Sequence, residues 1–233
     1  MAPPPTADSD LGDASKKAVD FIDFGCGVGK SIGFVRMLTG GEGFGIDISE
    51  QAVSECWEAG LPAEVGDLLS YTGRNTALAV TAIDLLPEIG DRADFEQAVS
   101  RMILAARNYV LIQHNFYDAD SALATHGQHV AAHFGKRLRF KPTVADYITL
   151  MFRLAPSHSI CGIACFGVGE PRLVPLSVNE VPLTTPEARP TPVAYRNLRV
   201  VIGRKEVGRF RSALRRARTG QQLFLWERPE AAA

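Results

Sequence analysis

The residues best placed to do chemistry lie in the stretch Asp23-Phe24-Gly25-Cys26-Gly27-Val28-Gly29-Lys30-Ser31. Glycines at alternate positions let a backbone turn sharply and let a ligand approach main-chain N–H groups. Three kinds of ligand use such loops, and spacing separates them. A phosphate-cradling loop carries a glycine five residues before that of Gly-Lys-Ser, and here that position is Phe24. A dinucleotide fingerprint carries its third glycine three residues after the second, and here that position is Lys30. What remains is an acidic residue followed by Gly-x-Gly-x-Gly. Two further carboxylates follow, Asp47 in Gly45-Ile46-Asp47-Ile48-Ser49 and Asp67 in Val65-Gly66-Asp67-Leu68. A carboxylate at a strand end accepts hydrogen bonds from ligand hydroxyls, strengthened by its charge. Cys26 reads as a small residue tolerated in the loop, with a reactive thiol at a helix N-terminus as the alternative.

These residues resemble the first motifs of the class I S-adenosylmethionine-dependent methyltransferases. The resemblance covers residues 19–117. It implies that Asp23, Gly25, Cys26, Gly27 and Gly29 form the cofactor loop. It implies that Asp47, beside Ile48, holds the ribose, and that Asp67, beside Leu68, reads the adenine amino group. Thr81-Ala82-Ile83-Asp84-Leu85-Leu86 is similar to the family's fourth motif, with Ala82 on the cofactor side, and Tyr109-Val110-Leu111-Ile112 to its fifth strand. The activity so implied is methyl transfer from S-adenosylmethionine.

Methyl transfer from a sulfonium is an in-line displacement, in which alignment supplies up to roughly 7–11 kcal/mol. A general base adds roughly 10²–10⁴-fold where the acceptor must lose a proton. His114, in Gln113-His114-Asn115-Phe116-Tyr117-Asp118, falls where the fifth strand ends and titrates in a useful range. It is the first candidate base, with a structural peg as the competing role; Tyr117 and Asp118 are second choices and Asp84 a third. The chain lacks the Pro-Pro-aromatic signature that family members acting on nucleic-acid amino groups carry after the fourth strand. A small-molecule or carbohydrate-like acceptor, methylated at oxygen, is the expectation. The alternatives are a non-catalytic cofactor-binding partner subunit and an RNA methyltransferase using a basic C-terminal helix. His126, His129 and His133 would share one helical face, but no carboxylate or cysteine completes a metal signature, so no metal is assigned.

The elements that must position these groups alternate in the first half. Val19–Phe24, Gly43–Ile48, Ala63–Val65, Ala77–Ala82 and Tyr109–His114 read as strands, the apolar runs among them as strands covered on both faces. Ser31–Leu38, a helix capped by Ser49, and Arg92–Arg107 read as helices between them. Such alternation gives right-handed crossovers and ligands at the carboxyl ends of a parallel sheet. The expected fold is α/β: a Rossmann-like, doubly wound, mostly parallel seven-stranded sheet with an antiparallel late strand. Thr143–Leu154 and Glu206–Arg218 read as helices, Ile160–Val168 and Leu198–Gly203 as strand-like segments, and Leu223–Trp226 as a short apolar run. Residues 1–18 read as disordered or a short helix, 19–204 as the methyltransferase domain and 205–233 as a basic helical extension. Segments 115–155 and 169–193 are the expected lid.

The 233 residues carry 46% hydrophobic and 22% charged side chains, enough apolar material for one sizeable core. A formal net charge of −1 gives no bulk attraction to nucleic acid or membrane surfaces. No apolar run is long enough to span a bilayer, so a cytoplasmic location follows by default. Cys26, Cys56, Cys161 and Cys165 lack Cys-x-x-Cys spacing and read as reduced and buried. The acceptor and the oligomeric state are not legible.

Overall fold

A computed structural model of the protein describes residues 19–118, 140–170, 172–173, 193–217 and 220–229. The element order is β1 (Val19–Phe24), α1 (Lys30–Thr39), β2 (Gly43–Asp47), α2 (Glu50–Glu58), β3 (Ala63–Val65), β4 (Ala77–Ile83), α3 (Leu86–Ile89), α4 (Arg92–Ala105) and β5 (Ala106–Asn115). It continues with α5 (Val144–His158), β6 (Ile160–Val168), β7 (Arg172–Leu173), β8 (Val193–Ala194), β9 (Asn197–Arg204), α6 (Val207–Ala217) and β10 (Gln221–Glu227).

Eight strands form one sheet in the order β10-β6-β9-β5-β4-β1-β2-β3. Strands β1 to β5 pair in parallel, and β9, β6 and β10 join by antiparallel pairings. The doubly wound sheet expected from the sequence is present, with eight strands rather than seven. The extra strand is β10: the run Leu223–Trp226 lies along the edge of β6, so the C-terminal extension adds a strand as well as a helix. The segment 169–193 contributes the short β7–β8 pair at its ends.

Local chemistry sets the boundaries. The Ser49 hydroxyl accepts from the Ala52 N–H and starts α2, and Gly40, in the left-handed region, stops α1. No glycine stops α4, and β5 begins directly at Ala106, three residues earlier than the apolar run suggested. The largest apolar cluster lies on the face covered by α3, α4 and α5 and includes Phe95, Met102, Val110, Ile112 and Tyr147. Two smaller clusters lie under α1 with α2 and under α6. The stripe Val207, Phe210, Leu214 docks α6 on the sheet. Phe210 is fully buried, and a side chain at either Gly162 or Gly203 would collide with its ring. Among the described residues no helix is long and apolar enough to cross a membrane.

Part of the expected lid belongs to the body. Helix α5 buries Tyr147, Leu150 and Met151 and is tied to α4 by the pairs Arg92–Asp146 and Arg153–Glu96. Residues 1–18 and the histidines at 126, 129 and 133 lie outside the described residues.

Candidate cofactor site

The turn between β1 and α1 is built from Gly25, Gly27 and Gly29, all at positive φ (68°, 52° and 86°). A side chain at Gly25 would also meet Leu85 at 2.7 Å, so this position is closed to other residues by space as well as by conformation. The Gly25 N–H donates to the Ile46 carbonyl at 2.7 Å, and the Gly27 N–H to Asp47 Oδ2 at 2.8 Å. The Ser49 N–H donates to Asp47 Oδ1 at 2.9 Å. Asp47 thus fixes the turn to the end of β2. Each of its oxygens has a second lone-pair site for a ligand hydroxyl.

Beside this turn, at the carboxyl ends of β1 and β2, lies a cavity of about 340 Å³. Its apolar walls include Ile48, Leu68, Leu85 and Ile89, and its carboxylates are Asp47, Asp67 and Glu88. Ile48 is 75% exposed, an apolar surface suited to the face of a flat ring. Asp67 is oriented by the Leu69 N–H, which donates to its Oδ1 at 2.9 Å.

Asp23 sits beneath the turn and is fully buried. Its Oδ1 accepts from the Thr81 hydroxyl at 2.6 Å, while its Oδ2 has no hydrogen-bond partner. Burial pushes its carboxyl up to about 6; the nearby Ser31 hydroxyl, although it donates to the Cys26 carbonyl at 3.2 Å, and the Thr81 hydroxyl pull it back, and the Asp47 charge adds to the rise. A buried oxygen without a donor is costly unless a ligand supplies one.

The expected cofactor residues divide into three groups. Gly25, Asp47, Ile48, Asp67 and Leu68 line the cavity; Gly27 and Gly29 shape the turn beside it, and Asp23 is buried near the end of β1 and is not one of its walls. The Cys26 side chain is buried in the apolar cluster under α1 and α2, and Ala82 is packed in the core. Burial, together with the neighbouring Cys56, pushes the Cys26 thiol far up, which contradicts a reactive thiolate there. Glu88 and Ile89 were not anticipated, because α3 has a single turn and leaves no periodicity to read.

The acceptor-side candidates form a brace. His114 is buried, stacked between the rings of Tyr117 (5.5 Å) and Tyr147 (5.8 Å). Its Nδ1 lies 2.6 Å from the Asn115 carbonyl, which can only accept, so Nδ1 carries the proton. Its Nε2 therefore accepts from the Tyr147 hydroxyl at 2.8 Å. Burial lowers His114 to about 4, partly offset by the Asn115 bond. Asp118 accepts from the Val144 N–H and caps α5; burial raises its carboxyl. Tyr117 is buried, with its hydroxyl 3.5 Å from the Asn115 amide nitrogen. Tyr147 was missed in the sequence. Its signal was the capping box of Thr143 and Asp146, which fixes the phase of α5. Asp84, after β4, is held at φ 57°, a conformation uncommon outside glycine. Among the described residues no group of three His, Cys, Asp or Glu side chains is placed to hold a metal ion.

No family sequence profile matches the chain, and no curated protein matches it by sequence. Solved structures do resemble its fold. A SAM-dependent methyltransferase from Archaeoglobus fulgidus aligns over 81% of this chain and 87% of its own, with TM-score 0.57 and 15% identity. Magnesium protoporphyrin IX methyltransferase from Synechocystis, with bound SAH, aligns over 80% and 74%, with TM-score 0.51 and 15% identity. A possible histamine N-methyltransferase from Thermotoga maritima aligns over 81% and 82%, with TM-score 0.51 and 10% identity. With β1 to β5 in parallel and β9 inserted antiparallel between β5 and β6, the chain has the class I SAM-dependent methyltransferase fold.

Proposed function

We propose that the protein transfers the methyl group of S-adenosylmethionine to a small-molecule or carbohydrate-like acceptor, at an oxygen atom. One observation carries the cofactor assignment: a glycine turn opens on an apolar cavity whose charged groups are carboxylates, Asp47, Asp67 and Glu88. Such a cavity repels the pyrophosphate of a nicotinamide dinucleotide and favours a ligand rich in donors and bearing positive charge. An adenosyl sulfonium has both properties. Asp47 would hold the ribose hydroxyls, Asp67 the adenine amino group, and Ile48 and Leu68 the ring faces. The unpartnered oxygen of Asp23 supplies an acceptor beneath the turn for the ligand's ammonium end. When bound, the cofactor supplies an electrophilic methyl group.

The role of the chain on the acceptor side is positioning. His114, Tyr117 and Asp118 tie the end of β5 to α5, and the His114 lone pair is already given to Tyr147. These three therefore act as a rigid wall against which an acceptor hydroxyl is aligned, rather than as the proton acceptor. The fold neighbours differ in acceptor: one is named for a porphyrin and another for histamine. The oxygen assignment rests on the turn Ile83-Asp84-Leu85-Leu86, which lacks the proline-rich platform that grips an exocyclic amine.

Calorimetry with S-adenosylhomocysteine and with NAD tests the assignment. Micromolar binding of the first and none of the second is expected; tighter binding of NAD overturns it. Methyl release from labelled cofactor with hydroxylated and aminated acceptors then tests the acceptor class.

A further inference from the structure

At the end of the sheet opposite the cavity, four cations gather around Asn75. The Arg107 Nε donates to the Asn75 carbonyl at 2.6 Å. Arg204 Nη1 and Lys205 Nζ donate to Asn75 Oδ1 at 3.3 and 3.4 Å. Arg74 is the adjacent residue and is exposed. These groups meet because β4 and β5 begin here while the antiparallel β9 ends here.

Their partners set them apart. Arg36, Arg92, Arg153, Arg209 and Arg211 each meet a carboxylate. Among the described residues no carboxylate meets Arg74, Arg107, Arg204 or Lys205; their contacts are with carbonyls and one neutral amide. Glu206, the acid next in sequence, is engaged by Arg209. Two of the cations share one amide oxygen, and with only carbonyl dipoles beside them an added anion would relieve their mutual repulsion further. The nearby His158 ring registers the same field: Arg204 and Arg74 add to burial in lowering its basicity. Arg204 is largely used by the Leu104, Ala106 and His158 carbonyls, which leaves Arg74, Arg107 and Lys205 as the outward donors.

We propose that this patch docks the phosphate backbone of a single-stranded nucleic acid. The cationic surface continues past Arg107 to Arg209, whose Nη1 meets Asn108 at 3.0 Å while its Nε is held by Glu206, a row rather than a pocket, which suits a polymer more than a single phosphate. Contacts of this kind read charge and spacing, not base identity. The proposal does not depend on the cofactor assignment, since it uses other residues at the other end of the sheet.

Fluorescence anisotropy with a labelled 20-nucleotide oligouridylate tests it. Three phosphate contacts give a slope of log affinity against log salt near −2, at about −0.7 per contact on single strands. The exposed pair Arg74→Gln/Lys205→Gln should weaken binding at low salt by about tenfold or more and bring the slope to about −0.7. Affinity for S-adenosylhomocysteine should stay unchanged, which shows that the variant is folded. The idea is overturned by absence of binding, by equal binding of wild type and variant, by binding of inorganic phosphate without the oligonucleotide, or by binding only to vesicles of phosphatidylserine.

Discussion

The ribose assignment is tested most sharply at Asp47. Its two oxygens already accept from the Gly27 and Ser49 N–H groups, at 2.8 and 2.9 Å. Removing the side chain therefore releases the turn and removes any ribose contact together, so a simple loss of affinity is ambiguous. A cycle with a second perturbation on the ligand separates the two effects. Each hydrogen bond to a charged group is worth about 1.5–3 kcal/mol. That corresponds to about 10- to 150-fold in affinity. Wild-type protein should bind 2′-deoxy S-adenosylhomocysteine more weakly than the parent compound by a factor in that range. In Asp47→Ala the parent should bind at least as much more weakly, and the 2′-deoxy compound should then bind nearly as well as the parent. Titration calorimetry measures all four affinities, with thermal unfolding to verify the variant's fold. An equal deoxy penalty in wild type and variant would mean that Asp47 does not touch the 2′-hydroxyl, and the same result with the 3′-deoxy compound would leave it serving only the turn.

Other expectations follow from single groups. In the folded protein Asp23 holds its proton up to about 6 against an ordinary 3.8, so its ionisation weakens the fold as pH rises from 3.8 to 6 and costs a constant amount above that. Asp23→Asn should unfold at higher urea at pH 7, and should abolish a rise in cofactor affinity between pH 5 and 7 that the wild type shows if Oδ2 meets an ammonium; an unchanged pH profile excludes that contact. His114, lowered to about 4 from 6.5, has the opposite sign: stability is full above 6.5 and declines as pH falls toward 4, a decline that His114→Gln should lack in acid titrations followed by circular dichroism. Tyr147→Phe leaves Nε2 of His114 buried without a donor, at a cost of about 1–3 kcal/mol. Its effect in urea should be strongly non-additive with that of His114→Gln; additivity would show that the two rings do not act as one brace. Phe210→Ala should cost about 3–5 kcal/mol in chemical denaturation, because Gly162 and Gly203 leave the void unfilled.

What the sequence revealed follows from how local each signal is. Strands β1, β3 and β6 match their expected bounds, because each is a short run closed by glycine, proline or a polar turn. Asp47 and Asp67 could be placed at the ends of successive strands from the alternation of elements, and both line the cavity. Glu88 and Tyr147 were not found. The first lies on a single turn of helix with no period, and the second depends on how α5 packs on α4, a long-range fact. The strand β10 was read as a short apolar run without a partner, since only the exposed flank of β6 tells it where to pair. The position of His114 at a strand end was legible in the sequence, but its environment was not. Burial between two tyrosines turns a residue that titrates near neutrality into one that stays unprotonated until about pH 4.

Charge distribution shows the same limit of composition. A net charge of −1 suggests a protein indifferent to polyanions, yet that balance is an average over two unlike ends. The carboxyl ends of β1 and β2 carry Asp23 and Asp47, Asp67 follows β3, and Glu88 lines the same cavity as Asp47 and Asp67. The far end of the sheet carries Arg74, Arg107, Arg204 and Lys205 with no acid in contact among the described residues. Exposed charges act over about 8–10 Å at ordinary ionic strength, less than the length of β5 at about 3.3 Å per residue. The acidic end therefore neither neutralises the basic end nor shields it from a passing phosphate. If the two proposed sites both bind, a cationic ligand at one end and a polyanion at the other should bind independently, each leaving the other's affinity unchanged.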